Sequence, residues 1–306
     1  MKTVVLHEYG GPDKLKWEDI ADPVAGTGEV LVRVSAVSVN PIDWKLRSGA
    51  IKAYMPIEFP EVLGRDLAGV VQAVGNGVTE FAPGDHVFAL ANHTYAELCV
   101  VKADELAKVP DGLDLIKAGA LPLVTLTGEQ LVRLGTGVKK GETVLITGAV
   151  GSVGRSAVQA AKDAGAKVIA GVRRTQLTEA EALGANRVVA LDDEDAMEKV
   201  ELVDAVADTV GGKTAEMLLS KVKPGGVFAS VAGGGMNNAA LNPAVRIQPV
   251  YCVPDTARML MMAEHYLRGE LVIPIDRMIA MADAAEGQAA AEKGGIGKVI
   301  LVNESK

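Results

Sequence analysis

Residues 143–154 read Thr-Val-Leu-Ile-Thr-Gly-Ala-Val-Gly-Ser-Val-Gly, and no other stretch restricts the possible folds as much. Val144, Leu145 and Ile146 form a short apolar run that suits a buried strand. Gly148, Ala149, Gly151 and Gly154 then turn the chain, and Ser152 to Gly165 has helical spacing, with Ala157, Val158 and Ala161 on one face. Strand, glycine turn and helix in this order make a seat for the pyrophosphate of a dinucleotide. Glycines let the backbone come close to the phosphates, and the helix N-terminus offers free N–H groups and a partial positive charge. The usual pattern is G-x-G-x-x-G; here Ala149 replaces the first glycine, so the candidate turn is Ala149, Val150, Gly151, Ser152, Val153 and Gly154. A purely structural turn would also use glycine. The preceding strand, the following helix and a second strand at Lys167–Gly171 are the context that favours nucleotide binding.

Around this motif the chain changes character twice. Residues 1–110 read as short strands: Glu29–Val39, Leu67–Val74, Asp85–Leu90 and Tyr95–Val101, with a short helical turn at Ile42–Arg47 after Asn40-Pro41. Such spacing predicts a small, irregular, barrel-like domain. Leu115–Leu134 is mostly helical, interrupted by Pro122. Strand candidates then alternate with helices: Thr143–Thr147, Lys167–Gly171, Arg187–Leu191, Asp204–Thr209, Gly226–Val231 and Ile247–Val253. Repeated βα units predict an α/β domain with a doubly wound parallel sheet of the Rossmann type. After a helix at Asp255–Arg268, strands at Leu271–Ile275 and Lys298–Val302 flank a helix at Ala282–Lys293 and read as a return to the first domain. The expected division is 1–118 with 267–306, and 119–266.

Composition excludes several functions. A net charge of −8 over 306 residues argues against nucleic acid or an anionic membrane as the main partner. No run of about 18 apolar residues predicts a membrane span. No secretory leader is read at the N-terminus. The two cysteines, Cys99 and Cys252, read as free thiols in a reducing compartment. A cytoplasmic protein is expected. His7, His86, His93 and His265 have no metal-ligand spacing.

Several segments carry a resemblance over the whole chain: Asn40-Pro41-Ile42-Asp43-Trp44-Lys45-Leu46-Arg47-Ser48-Gly49, Gly64-Arg65-Asp66-Leu67-Ala68-Gly69-Val70-Val71, Gly84-Asp85-His86-Val87 and Gly297-Lys298-Val299. With the alanine-first glycine turn, they resemble the zinc-free quinone oxidoreductase branch of the medium-chain dehydrogenase/reductase superfamily. The resemblance implies a GroES-like, mostly β catalytic domain split around a Rossmann domain, with the cofactor in the cleft between them. Zinc members of the superfamily use a cysteine where this chain has Asn40 and a histidine where it has Arg65. They also carry a four-cysteine structural lobe where Ala91–Thr94 is a short loop. An amide binds zinc poorly and a guanidinium stays protonated, so no zinc is expected. Without such a Lewis acid, alcohol oxidation is disfavoured, and reduction of an already electrophilic quinone or conjugated enone is the easier reaction.

By resemblance Asn40 should lie beside the nicotinamide, where its amide could donate to the acceptor carbonyl; the plain alternative is a strand end before Pro41. Tyr54 resembles a pocket tyrosine that stacks on a ring or donates a proton, and it could equally be a surface tyrosine. Thr127 resembles a residue on the nicotinamide side. Asp43 and Lys45 suggest a proton relay, an ion pair or a cap. The second strand of the Rossmann unit ends in Gly171-Val172-Arg173-Arg174, with no acid to hold a ribose 2′-hydroxyl. Two guanidiniums there suit a 2′-phosphate, so NADP(H) is the expected cofactor, the alternative being solvated loop charges. The glycine runs after Asp208 and Val231 lie at strand ends. By resemblance Asp208 and Val210 serve the adenosine half, and Val231, Ala232 and Gly233 the nicotinamide amide. Met236–Arg246 reads as a flexible loop, either a flap over the substrate or a simple surface loop. The expected function is an NADPH-dependent quinone or enone reductase acting on a small molecule. A non-catalytic NADPH-binding protein and an enoyl-thioester reductase are the alternatives. The family is commonly dimeric through the sixth Rossmann strand, so a homodimer is expected.

Overall fold

The computed structural model describes residues 1–232, 244–295 and 297–303. They form two compact units: Met1–Leu123 with Pro254–Arg268 and Ile273–Lys306, and Val124–Val253 with Gly269–Val272.

The strands of the first unit are β1 (Lys2–Leu6), β2 (Leu15–Asp19), β3 (Glu29–Ser38), β4 (Glu61–Val62), β5 (Asp66–Val74), β6 (His86–Leu90), β7 (Leu98–Lys102) and β8 (Leu106–Lys108). Numbering resumes there with β15 (Ile275–Ala280) and β16 (Lys298–Val302), after β9 (Thr143–Thr147), β10 (Lys167–Val172), β11 (Arg187–Ala190), β12 (Val203–Asp208), β13 (Val222–Ser230) and β14 (Arg246–Pro249) of the second unit. Helices are α1 (Pro41–Ser48), α2 (Leu115–Ala118), α3 (Pro122–Gln130), α4 (Ser152–Asp163), α5 (Leu177–Glu181), α6 (Glu194–Glu198), α7 (Gly212–Leu219), α8 (Thr256–Leu267) and α9 (Ala284–Lys293).

In the first unit the longest strand, β3, is the hub. A seven-stranded sheet runs β15-β16-β3-β5-β6-β8, with β7 also paired to β3, and a three-stranded sheet runs β2-β1-β4. Val30, Val32 and Val34 of β3 enter a core with Leu6, Leu67 and Leu301, so alternate residues of this strand point inward. β16 pairs antiparallel to β3, with Ile300 opposite Ser38, and this brings the C-terminal segment beside residues 38–40.

The second unit is a six-stranded parallel sheet in the order β11-β10-β9-β12-β13-β14, the arrangement of the doubly wound dinucleotide-binding fold. Alternate residues of its central strands face opposite cores. Val144, Ile146, Val168, Ala170, Ala205 and Ala207 pack with α4 on one face. Leu145, Ile169 and Val206 pack with Leu218 and Leu219 of α7 on the other. Burial on both faces explains why these strands read as unbroken apolar runs.

Three expectations differ from the structure. The strand expected at Leu271–Ile275 runs instead over Ile275–Ala280; Pro274 has no N–H to donate, and its carbonyl accepts from Lys298 N at 2.7 Å just before the pairing begins. Pro249 ends β14, so the sixth strand stops short of Val253. The helix α8, expected with the Rossmann segment, groups with the first unit and contacts β8, and Gly269–Val272 groups with the second.

Candidate functional site

The second unit builds the expected nucleotide turn. β9 ends at Thr147 and α4 begins at Ser152, with Gly151 at its N-cap in extended conformation. No side chain caps the helix and no acidic residue lies in its first turn, so its leading N–H groups point out with a positive end unopposed. Gly154 is fixed by packing: a Cβ there would stand 2.1 Å from Gly148 O and 2.7 Å from Ala149 Cα. The same closeness recurs at Gly128, where a Cβ would meet Val153 O at 2.5 Å, so α3 lies directly on the first turn of α4 and carries Thr127 there. Ala149 and Val150 are buried, whereas Ser152 and Val153 are half-buried at the helix start. Arg155 donates from Nε to Val150 O at 2.8 Å and stiffens the turn from behind.

Asp208 ties the strand ends together rather than facing outward. Its buried carboxylate accepts from Thr147 Oγ1 at 2.8 Å, Ser230 Oγ at 2.7 Å, Val210 N at 3.1 Å and Gly211 N at 3.0 Å. β9, β12 and β13 are thereby held in one register at their carboxyl ends, where a doubly wound sheet receives its ligand. Val210 is exposed, and Val231 and Ala232 are half-buried beyond β13. Gly233 and residues 236–243 of the candidate flap lie outside the described residues.

Arg173 and Arg174 follow β10 directly and are exposed. Among the described residues, Arg173 Nε approaches the neutral Gln176 Oε1, at 3.4 Å, and is in no ion pair. Arg174 is ion-paired to Asp193, which lowers the carboxyl pKa of Asp193 through that hydrogen bond and raises that of the guanidinium.

In the first unit, Asn40 sits at the end of β3 and the start of α1, 1% exposed. Its amide nitrogen donates to Ser38 O and Ser38 Oγ, both at 3.0 Å, and approaches Asp66 Oδ2 at 3.4 Å. Its oxygen accepts from Lys298 Nζ at 2.5 Å, and the same ammonium donates to Val39 O at 2.9 Å. Asp43 turns back from α1 to accept from Asn40 N at 2.8 Å and from the Tyr95 hydroxyl at 2.9 Å. Of the roles open to Asp43, the geometry supplies the cap.

Burial dominates the electrostatics here. It pushes the Asp43 carboxyl up to about 7, against the hydrogen bonds from Asn40 and Tyr95. It also raises Asp66 and lowers Lys298, outweighing their mutual attraction. Tyr54, by contrast, is 65% exposed on the turn after α1. The structure therefore does not bring the two catalytic candidates into one cluster. Sequence reasoning missed Lys298 as the partner of Asn40 and Tyr95 as the partner of Asp43; the signal available for Lys298 was the Gly297-Lys298-Val299 segment.

Among the described residues, no three His, Cys, Asp or Glu side chains gather into a group that could hold a metal. Arg65, which the resemblance puts in place of a zinc-ligand histidine, is half-buried. Cys99 is buried and its thiol is pushed up to about 12, while Cys252 is half-buried, and the two are not joined in a disulfide. Among the described residues, no helix is long and apolar enough to cross a membrane.

Comparison with known proteins agrees with this geometry. The family model described as alcohol dehydrogenase GroES-like domain matches residues 26–111, and the one described as zinc-binding dehydrogenase matches 152–264. The second begins at Ser152, at the start of α4, and covers only the end of the nucleotide turn. A quinone oxidoreductase of Pseudomonas aeruginosa is 33% identical over 93% of this chain and 94% of its own length. Two solved structures superpose closely. An NAD-dependent alcohol dehydrogenase has a TM-score of 0.87 at 30% identity, over 99% of this chain and 100% of the other. Mycobacterial Rv1454c complexed with NADPH has a TM-score of 0.85 at 28% identity, over 99% and 100%. The glycine turn, the 3-2-1-4-5-6 sheet and a full-length relative at this identity agree, and the chain belongs to the medium-chain dehydrogenase/reductase superfamily of oxidoreductases, in its quinone oxidoreductase branch.

Proposed function

We propose that this oxidoreductase is zinc-independent and NADPH-dependent, and that it reduces quinones or α,β-unsaturated carbonyls. The observation that carries the proposal is the uncapped N-terminus of α4 together with a β10 end that presents Arg173 and Arg174 and no acid. The helix end suits a pyrophosphate and the guanidiniums suit a 2′-phosphate. The Pseudomonas relative's name and the NADPH-bound neighbour support this reading. Bound there, the cofactor supplies the hydride.

The chain's own residues bind and orient. Ala149 to Gly154 would hold the pyrophosphate, Val210 and the strand ends organised by Asp208 would serve the adenosine half, and Thr127, Val231 and Ala232, together with Gly233 outside the described residues, would serve the nicotinamide. Tyr54 is assigned to the acceptor, by stacking or proton donation. Asn40 acts at the acceptor carbonyl only by exchanging one of the bonds that its amide makes to Ser38, and otherwise supports the end of β3. A small-molecule acceptor, a homodimer and a cytoplasmic location belong to the same proposal. With Asn40 and Arg65 at the zinc-ligand positions, nothing replaces the Lewis acid that an alcohol substrate requires.

The test is a screen of NADPH oxidation against simple quinones, enals and enones, with and without a chelator. Turnover that survives chelation is expected. Turnover lost to chelation, with one zinc per chain by metal analysis, would overturn the zinc-independent reading. Tight NADPH binding without turnover on any acceptor would make the chain a non-catalytic NADPH-binding protein.

A further inference from the structure

The two cations at the end of β10 stand in different fields. Arg173 faces the neutral Gln176. Arg174 is already taken. Its guanidinium pairs with Asp193, and its backbone N–H donates to Asp192 Oδ1 at 2.7 Å. The pair is lopsided: the Asp193 side chain is 19% exposed, whereas that of Arg174 is 70% exposed. Asp193 is also fixed from its own side, because its Oδ1 accepts from Ala196 N at 3.2 Å and caps α6. Asp192, Asp193, Glu194 and Asp195 run consecutively after β11. The arginine pair is thus outnumbered by carboxylates on the neighbouring loop and the first turn of α6.

We propose that Asp193 is a specificity-determining residue: it holds Arg174 back from an anionic ligand, and so sets how strongly the site discriminates a 2′-phosphorylated dinucleotide from one with a free 2′-hydroxyl. The inference rests on the assignment of the β10 end to the adenosine ribose. A phosphate arriving at Arg174 must either displace the Asp193 carboxylate or bind beside it. The first breaks an ion pair already formed, and the second sets like charges together. Arg173 is left as the cation that meets the phosphate without competition. The position therefore tempers the NADPH preference that two unopposed arginines would produce.

Asp193→Asn separates charge from structure, since asparagine caps a helix as well as aspartate and has the same size. Dissociation constants for NADPH and NADH are measured by nicotinamide fluorescence at fixed ionic strength for four proteins: unmodified, Asp193→Asn, Arg174→Ala and the double variant. Asp193→Asn should bind NADPH about two- to fivefold more tightly, in keeping with an exposed ion pair, and NADH as before. The double variant should bind NADPH no more tightly than Arg174→Ala alone, because the gain acts through Arg174. NADPH binding that is unchanged or weaker in Asp193→Asn overturns the inference; weaker binding would mean that the carboxylate aims Arg174 at the phosphate. The cofactor proposal fails separately, if the unmodified protein binds NADH as tightly as NADPH. A gain of NADPH selectivity in Asp193→Asn would still uphold the role of Asp193.

Discussion

At the scale of single residues, partners decide what each candidate can do. Arg173 and Arg174 read as equals in the sequence, but among the described residues Arg174 is ion-paired and Arg173 is not. Replacing both with alanine should raise the Michaelis constant for NADPH about ten- to a hundredfold and leave that for NADH nearly unchanged. Arg173→Ala alone should account for most of the loss. Steady-state kinetics with each cofactor checks this, and an equal loss with both cofactors would mean that the arginines are solvated loop charges. Asn40 has the opposite character, since every polar atom of its amide is engaged inside the protein. Asn40→Ala removes the oxygen that receives the Lys298 ammonium, leaving a buried cation short of a partner. Stability should fall by about 1–3 kcal/mol, read from urea unfolding. If Asn40 also serves the acceptor, turnover should fall further than NADPH binding. Unchanged turnover in a stably folded variant would confine it to the strand end.

At the scale of elements, the junction of β3, α1 and β16 should make stability depend on pH. Asp43 is held by α1, Asp66 by β5 and Lys298 by β16, and all three are buried. With the Asp43 carboxyl raised from 3.8 to about 7, the folded chain keeps a proton that the unfolded chain has released at intermediate pH. Stability therefore falls as pH rises from roughly 4 to 7, and the loss is complete above that. Between about pH 5 and 7.5 the change should be on the order of 2 kcal/mol, and Asp43→Asn should lack that part of the slope. Parallel slopes in the two proteins would show that Asp43 is ionised throughout.

This junction also marks the limit of legibility. The glycine turn and the six Rossmann strands were readable, because each is a local pattern of a few residues with a fixed period. The network around Asn40 was not, because it joins residues 38–43, 66, 95 and 298, and no local pattern declares that pairing. Asp208 shows the same limit: its place at a strand end was visible, but its use as a tie between three strands was not. The strand expected at Leu271–Ile275 begins instead at Ile275, because an apolar run does not by itself mark a strand and Pro274 has no N–H to give to a ladder.

At the scale of the whole molecule, the open question is how many chains assemble. Among the described residues, β14 is an edge of the parallel sheet and pairs with β13 alone. Arg246 and Pro249 at its ends are exposed, and just beyond it Tyr251 is 75% exposed and Val253 52% exposed. A free edge with apolar side chains beside it is a template for pairing with another chain. We propose that two copies pair through β14, with Tyr251 and Val253 buried at the contact. The self-complementary geometry of an edge pair closes at two and does not propagate. Light scattering after size-exclusion chromatography should give twice the 31.8 kDa of one chain. The double variant Tyr251→Lys, Val253→Asp changes residues that are exposed in the single chain, so the protomer should keep its fold and its melting temperature at high dilution. It should elute as a monomer, because an unpaired charge at the centre of the contact costs several kcal/mol. A dimer that survives the double variant would place the interface elsewhere, and an unmodified protein that is monomeric at micromolar concentration would leave β14 as a protected edge.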